Sequence, residues 1–194
     1  MNAPRLILGS TSRYRADLLR RLLPDFEQRA PGTDEAALPG EAPADRALRL
    51  AIAKAEAAAS GQSNALVIGS DQVAECDGTV LDKPGSAERA RAQLAACSGR
   101  TVRFHTALCL LDTRDGRKRT HVDHTSVRFR PLDGDEIARY IEREQPLDCA
   151  GSFKCEGLGI SLFERIANDD PTALVGLPLI ALARLLREAG LRLP

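Results

Sequence analysis

The stretch "LVIGSDQV", Leu66 to Val73, decides the fold of this chain. Its apolar residues lead into Gly69 and Ser70, which is the pattern of a short buried strand bounded by turn-forming residues. Asp71 then stands where we expect the strand to end. An aspartate at a strand end commonly caps a turn, but such an end is also a rigid position for a catalytic acid or metal ligand. From this stretch alone the turn cap is the simpler interpretation, and the catalytic one stays open.

Strand and helix patterns alternate on either side of this stretch. A buried strand is predicted at Arg5–Ser10, and an amphipathic helix with Ser12 as its N-cap follows it. An alanine-rich helix is predicted at Ala44–Ser60 and a hairpin turn at "CDGT". The alternating residues of Thr101–Pro131 predict a long antiparallel hairpin. These patterns indicate an α/β fold with a mixed sheet and flanking helices.

Length, charge and composition exclude several classes of protein. The 194 residues suffice for one domain of ordinary size or for two small lobes that share a core. Lys and Arg number 27, as do Asp and Glu, and aromatic residues make up 4%, so we expect neither a nucleic acid nor a membrane surface as a partner. No apolar run approaches the roughly 20 residues of a membrane span, and we expect a cytoplasmic protein. The oligomeric state is left open, with a homodimer as one candidate.

The five cysteines and three histidines do not indicate a disulfide framework or a zinc site. The number of cysteines is odd and no C-x-x-C pair occurs, so we expect reduced, mostly buried thiols. His121 and His124 lie in a strand-like stretch without a convincing third ligand.

The segment "GSTSRYR", Gly9 to Arg15, has the features of an anion-binding turn. A glycine permits close approach of the backbone, the first amides of the following helix are unpaired, and two arginines add positive charge. Ordinary helix capping with solvated arginines explains the same residues equally well.

Two lysines and two acids could complete a phosphate and metal site. Lys54 lies within the alanine-rich helix, and Lys83 precedes a proline that favours extended backbone. Glu35 and Asp71 could supply the hard oxygen ligands that magnesium prefers. Together these residues suggest a site that holds a polyphosphate while an activated water attacks phosphorus.

Five motifs, in this order, resemble the Maf family of nucleotide pyrophosphatases: "LILGSTS", "IGSDQV", "DKP", "AGSFKCEGLG" and "DPTALVGLPL". The resemblance covers nearly the whole chain and implies a single domain over residues 1–194. It also implies an elongated fold with a cleft between two lobes. The implied activity is hydrolysis of a nucleoside triphosphate to the monophosphate and pyrophosphate, with a divalent cation, Mg²⁺ or Mn²⁺, as cofactor.

The resemblance also assigns roles to individual residues. Asp71 matches the family's catalytic acid, as general base or metal ligand, and Glu35 matches a second acid near the metal. The residues expected to bind the triphosphate, from the resemblance and from the anion-binding turn, are Ser10, Arg13, Lys54 and Lys83.

Three positions distinguish the family's subgroups, and here they are Tyr14, Gln72 and Glu156. This set resembles the subgroup that acts on 7-methyl-GTP. Methylation at N7 makes guanine cationic, which favours stacking on tyrosine by about 0.5–2 kcal/mol. A glutamate accepts from the guanine N1–H and amine, and Gly157 would let its loop approach a ligand closely. Many members have proline in place of Arg13, so whether Arg13 or Tyr14 faces the base stays open.

Three alternatives remain at this point. The chain could be a dTTP/UTP pyrophosphatase of the same family. It could be a nucleotide-binding regulator of cell division, since the family has been associated with septum formation. It could also be an unrelated α/β phosphatase, which would release orthophosphate.

Overall fold

A computed structural model describes residues 3–194, and over these residues the chain forms seven strands, five α-helices and two short 3-10 helices, Ala150–Ser152 and Leu158–Leu162. None of these helices is both long and apolar enough to cross a membrane. The strands are β1 (Arg5–Gly9), β2 (Glu27–Arg29), β3 (Ala65–Cys76), β4 (Thr79–Val80), β5 (Thr101–Asp112), β6 (Lys118–Phe129) and β7 (Phe163–Ala167). The helices are α1 (Arg13–Arg20), α2 (Pro43–Ala59), α3 (Ala87–Cys97), α4 (Gly134–Glu144) and α5 (Leu179–Glu188).

The strands form one sheet in the order β2-β1-β3-β5-β6-β7, and β4 pairs with β3. β1 runs parallel to β2 and β3, whereas β4 and β7 run antiparallel to their partners β3 and β6. β5 and β6 are neighbours joined only by residues 113–117, and so short a connection requires antiparallel strands. The mixed α/β sheet predicted from the sequence is confirmed.

The chain divides into two compact units. Unit 1 consists of the residues up to Asp71 together with Thr106–Asp123 and Asp170–Pro194. Unit 2 consists of Gln72–His105 and His124–Asp169. The single domain and the cleft that the resemblance implies stay predictions.

Each unit has its own core. In unit 1, aliphatic residues of the sheet pack with leucines of α1 and α5, among them Leu8, Ile68, Leu19 and Leu182. In unit 2, four phenylalanines pack edge to face with ring centroids 4.7–5.6 Å apart; they are Phe104, Phe129, Phe153 and Phe163. Edge-to-face contact is the geometry that the ring quadrupoles favour.

The end of β3 differs from the prediction. The strand does not stop at Asp71 but continues to Cys76, where Asp77 and Gly78 turn the chain into β4. Both turn residues have positive φ, 49° and 79°, as a two-residue hairpin requires. Asp71 is therefore neither a turn cap nor a strand tip, but an interior residue of a twelve-residue strand. The prediction of a strand end was wrong because sheet pairing overrides the turn preference of Ser and Asp.

Candidate active site

Three charged side chains meet in unit 1 around a buried lysine. Lys54 Nζ lies 2.6 Å from Asp71 Oδ1 and 2.6 Å from Glu35 Oε1. The side chains of Lys54 and Asp71 are 6% and 10% exposed, whereas that of Glu35 is 57% exposed. Buried charges persist in proteins when opposite charges and hydrogen bonds compensate their desolvation. The structure thus brings together three residues that the sequence predicted for one site, and Glu35 is the member open to solvent.

Lys54 reaches Asp71 because α2 packs directly on the backbone of β1 and β3. Gly9 and Gly69 are paired in register across these strands. A Cβ on Gly69 would lie 2.6 Å from Ala55 N, and a Cβ on Gly9 would lie 2.7 Å from Lys54 O. Real Cβ atoms do not come so close to backbone atoms, so the paired glycines determine how near the helix lies to the sheet.

The first loop contributes a buried hydroxyl and a guanidinium group. Ser10 is 3% exposed, and its Oγ accepts hydrogen bonds from Ser12 N at 3.1 Å and from Arg15 Nη1 at 3.4 Å. Arg15 Nε donates to Gly176 O at 2.9 Å, so the loop before α5 fixes the other side of the guanidinium. Ser70 Oγ lies 3.0 Å from the same carbonyl. Ser10 and Arg15 therefore form a fixed pair at the start of α1.

The electrostatics of Arg15 connect it to the acids of the site. Burial lowers the pKa of Arg15, and the negative charges of Asp71 and Glu35 act in the opposite direction. The sequence analysis missed this residue and named Arg13. A signal was present, because Arg15 precedes the buried Leu18 and Leu19 by three and four residues, which places all three on one face of α1.

Arg13 and Tyr14 form a pair of their own. The guanidinium carbon of Arg13 lies 4.8 Å from the centroid of the Tyr14 ring, and Arg13 Nη2 donates to Tyr14 Oη at 2.9 Å. Arg13 is exposed and Tyr14 is half-buried. Arg13 and Tyr14 thus stack on each other, and which of them faces a base stays open. The role of Arg13 as a phosphate ligand stays a prediction.

The other three predicted residues belong to unit 2. Gln72 follows Asp71 in β3 and is half-buried, while Lys83 and Glu156 are exposed in loops. The loop of Lys83 is held by α3, because Gln93 Nε2 donates to Asp82 O at 2.9 Å. That these three residues share a site with Asp71 stays a prediction.

The loop that carries Glu156 is anchored to the end of α4. Glu144 Oε2 accepts a hydrogen bond from Leu158 N at 2.7 Å, and a Cβ on Gly157 would lie 2.5 Å from the same oxygen. A Cβ on Gly159 would collide with the carbonyl of Lys154. Both glycines are therefore needed for the packing of the loop on itself and on Glu144, whereas the sequence analysis expected Gly157 to let the loop approach a ligand.

Glu156 itself contacts a neighbouring thiol. Cys155 Sγ lies 3.4 Å from Glu156 Oε2. Burial first, and then the charge of Glu156, raise the pKa of Cys155 to about 12, so the thiol remains protonated and donates to the carboxylate. All five cysteines are free thiols, three of them buried, as the sequence predicted.

Comparison with known proteins now identifies the family. The family described as Maf-like protein matches residues 5–189. The chain belongs to the Maf family. A Maf relative from Xanthomonas axonopodis pv. citri (strain 306), named 7-methyl-GTP pyrophosphatase, is 59% identical over 98% of this chain and 100% of its own. A protein of the same name from Aromatoleum aromaticum (strain DSM 19018 / LMG 30748 / EbN1) is 52% identical over the full length of both chains.

The structural comparison is weaker. A HAM1 protein from Coxiella burnetii superposes on this Maf chain with a TM-score of 0.48 and 16% identity, over 95% of this chain and 99% of that chain.

The donor set around Lys54 includes the carboxylate oxygens that a hard divalent cation prefers. Glu35 and Asp71 present carboxylate oxygens to the same ammonium group. Mg²⁺ typically takes one or two protein carboxylates and completes its shell with water and substrate phosphates. Within residues 3–194 no group of three or more His, Cys, Asp or Glu side chains is arranged to hold a metal ion. The two carboxylates therefore fit a cation that completes its shell with water and, when substrate is bound, with phosphate oxygens.

Proposed function

We propose that this chain is a nucleoside triphosphate pyrophosphatase that hydrolyses 7-methyl-GTP to 7-methyl-GMP and pyrophosphate. The observation that carries the proposal is the cluster of Asp71, Lys54 and Glu35 in unit 1, in a chain 59% identical to a protein named for this activity. Placed acids beside buried cations suit hydrolysis of a phosphoanhydride, whereas a nucleotide-binding regulator would not need a positioned base.

Asp71 acts as the general base in this proposal. Its carboxylate takes a proton from a water molecule whose oxygen attacks the α-phosphorus. The bond between the α-phosphorus and the oxygen that bridges to the β-phosphorus breaks, and pyrophosphate leaves with that bonding electron pair. β3 keeps the carboxylate in a defined direction because Asp71 lies inside the strand and contacts Lys54.

The cationic and hydroxyl groups bind and orient the triphosphate. Lys54 and Arg15 supply positive charge in a half-buried to buried setting, where electrostatic stabilisation of the developing charge is stronger than in water. Ser10 adds a hydroxyl beside Arg15. We also assign Arg13 and Lys83 to the phosphates.

Glu35 and Asp71 would hold the divalent cation, Mg²⁺ or Mn²⁺, in this proposal. The cation would neutralise phosphate charge when bound.

Tyr14, Gln72 and Glu156 would select the base. A cationic 7-methylguanine suits an aromatic face and a carboxylate acceptor, whereas uracil and thymine lack the paired donors that Glu156 would accept. The alternative within the family is a dTTP/UTP pyrophosphatase. The proposal also includes a cytoplasmic location and a nucleotide substrate, with neither a nucleic acid nor a membrane as a partner and with a homodimer as one candidate state.

Product analysis tests the reaction. We expect purified protein with Mg²⁺ to convert 7-methyl-GTP faster than dTTP or UTP, with pyrophosphate as the product and no activity after chelation. In ¹⁸O-labelled water the label should enter the nucleoside monophosphate. Release of orthophosphate with a diphosphate left behind would overturn the proposal in favour of an unrelated phosphatase. Turnover of dTTP and UTP ahead of 7-methyl-GTP would favour the pyrimidine alternative.

A further inference from the structure

Glu35 lies in a long connection that has no secondary structure to hold it. Residues 30–42, between β2 and α2, form neither helix nor strand. The side chain of Glu35 is also more than half exposed, unlike those of Lys54 and Asp71. A carboxylate with a defined position in such a loop needs other contacts that fix the backbone.

Two arginines of α2 supply these contacts. Arg46 Nη2 donates to Glu35 O at 3.1 Å, and Arg49 Nη2 donates to Ala36 O at 3.0 Å. The carbonyls of two successive peptide groups, those of Glu35 and Ala36, are thereby tied to one helix. α2 is also the helix that carries Lys54, so the loop and the lysine share a rigid support.

Glu41 completes the attachment at the far end of the loop. Arg49 Nε and Nη2 lie 2.6 and 2.8 Å from the two oxygens of Glu41, which is the bidentate geometry of strong guanidinium–carboxylate pairs. Glu41 Oε2 also accepts a hydrogen bond from Leu38 N at 3.2 Å. A single ion pair thus binds the loop backbone twice. Its arginine donates to the carbonyl of Ala36, and its glutamate accepts from the amide of Leu38.

The pair remains ionised over a wide pH range. Its hydrogen bond to Arg49 lowers the pKa of Glu41 to about 2, and the bond to Glu41 raises the pKa of Arg49. The folded-state pKa of Glu41 is depressed, so its contribution to stability is present above the ordinary value of 4.5 and is lost as the pH falls toward 2.

We propose that Arg49 and Glu41 are positioning residues, which set the place of Glu35 by holding residues 36–41 against α2. Neither side chain is assigned to substrate or metal, and both act through Glu35. The proposal rests on the proposed function in one respect, because that function gives Glu35 its role as a metal ligand.

We call the ion pair of Arg49 and Glu41, with its hydrogen bonds to the loop, the clamp. Three variants and one control test it. Glu41→Gln keeps the shape of the side chain but removes its charge, and Arg49→Lys keeps the charge but removes the planar fork. Glu35→Gln provides the background for a double-mutant cycle with Glu41→Gln. Glu56→Gln is the matched control, because it removes an ion pair, with Lys118, on the same helix without touching the loop.

The first measurement does not depend on activity. In hydrogen exchange of the metal-free protein, Glu41→Gln and Arg49→Lys should speed exchange of the amides in residues 34–41, and Glu56→Gln should not. Unchanged exchange in both clamp variants would overturn the proposal even if the protein is a fully active pyrophosphatase.

The second measurement connects the clamp to Glu35. Loss of the free Mn²⁺ signal in electron paramagnetic resonance reports binding of Mn²⁺ alone, and we expect Glu41→Gln to weaken it by about 10–100-fold, the usual effect of losing a group that orients a metal ligand. The apparent Mg²⁺ requirement for turnover should rise by a similar factor. On the Glu35→Gln background the added Glu41→Gln change should have little further effect.

Each outcome separates the clamp from the proposed function. Equal effects of Glu41→Gln with and without Glu35 would show that Glu41 does not act through Glu35 and would overturn the proposal. Wild-type protein that binds Mn²⁺ through Glu35 and loses this binding in Glu41→Gln, yet hydrolyses no nucleotide, would support the clamp and refute the proposed function. Mn²⁺ binding that Glu35→Gln leaves intact would overturn the clamp's role toward metal.

Discussion

The two units of this chain hold their candidate site residues in different ways. In unit 1, Lys54 and Asp71 are nearly buried on a helix and a central strand, and their ion pair is 2.6 Å long. In unit 2, Lys83 and Glu156 are exposed on loops. Groups that carry out chemistry need fixed geometry, whereas loops on a rigid scaffold are where binding preference commonly varies. We therefore expect the buried pair of Lys54 and Asp71 to set the rate, and Glu156 in its exposed loop to contribute to the choice of substrate.

The largest expected effect belongs to Asp71→Asn. The amide keeps the shape of the side chain but loses the proposed general base and anionic metal ligand, and loss of a general base commonly costs about 10²–10⁴-fold in rate. Lys54 keeps its contact with Glu35, so we expect a folded protein. If Asp71 in unit 1 acts on the reaction and not on the choice of base, steady-state kinetics will show kcat/KM for 7-methyl-GTP and for UTP reduced by the same factor.

The matched control is Asp77→Asn. Asp77 lies in the hairpin turn after β3, and Asn before glycine suits such a turn as well as Asp does. Its kinetics should equal those of the wild type. A folded Asp71→Asn variant with near-normal turnover would remove Asp71 from the proposed mechanism. A changed ratio of kcat/KM for 7-methyl-GTP to that for UTP would show that Asp71 also affects the choice of substrate.

Much of the fold could be predicted from local chemistry. Ser12 caps α1 as expected, and Ser86 caps α3 in the same way; each accepts a hydrogen bond from the backbone amide three residues on. Asp77 and Gly78 make the predicted hairpin. The length of β3 could not be predicted, because Ser70 and Asp71 are turn formers whose extended conformation depends on pairing with neighbouring strands.

The candidate site shows the same limit. Family motifs led to Asp71, Lys54 and Glu35, and the structure brings these three together. Arg15 was missed because two arginines begin the same helix, and only the helical spacing that puts Arg15 on the face of Leu18 and Leu19 distinguishes them. The bond between Arg49 and Glu41 was also missed, since it joins a helix to an irregular loop and follows no periodic pattern.

A smaller effect is expected from Gly69→Ala, which tests whether close packing maintains the geometry of unit 1. The new methyl group would lie 2.6 Å from Ala55 N, so α2 must move away from the sheet. Overpacking of this kind typically costs about 1–3 kcal/mol. We expect a lower free energy of unfolding in urea and reduced turnover, since Lys54 moves with α2.

Gly134→Ala is the control for this substitution. Gly134 begins α4 without a positive φ, and a Cβ added there would meet no atom of another element within 4 Å. Alanine should therefore leave kinetics unchanged and stability unchanged or slightly improved. Equal stability of the Gly69→Ala and Gly134→Ala proteins would show that the close approach of α2 is not needed to hold Lys54.

The smallest expected effect, and the sharpest test of the comparison, comes from Glu156→Gln in unit 2. Glutamine replaces one acceptor oxygen with a donor, which mispairs with the N1–H and amine of 7-methylguanine but not with uracil. The ratio of kcat/KM for 7-methyl-GTP to that for UTP should fall by a factor that corresponds to about 1–3 kcal/mol in transition-state free energy. The rate on UTP should change little. Glu142→Gln, an exposed change on α4, should leave the ratio unaltered. Because Glu156 lies in an exposed loop, its loss should leave unfolding in urea unchanged, so a stable protein with an unchanged ratio would show that this loop does not read the base.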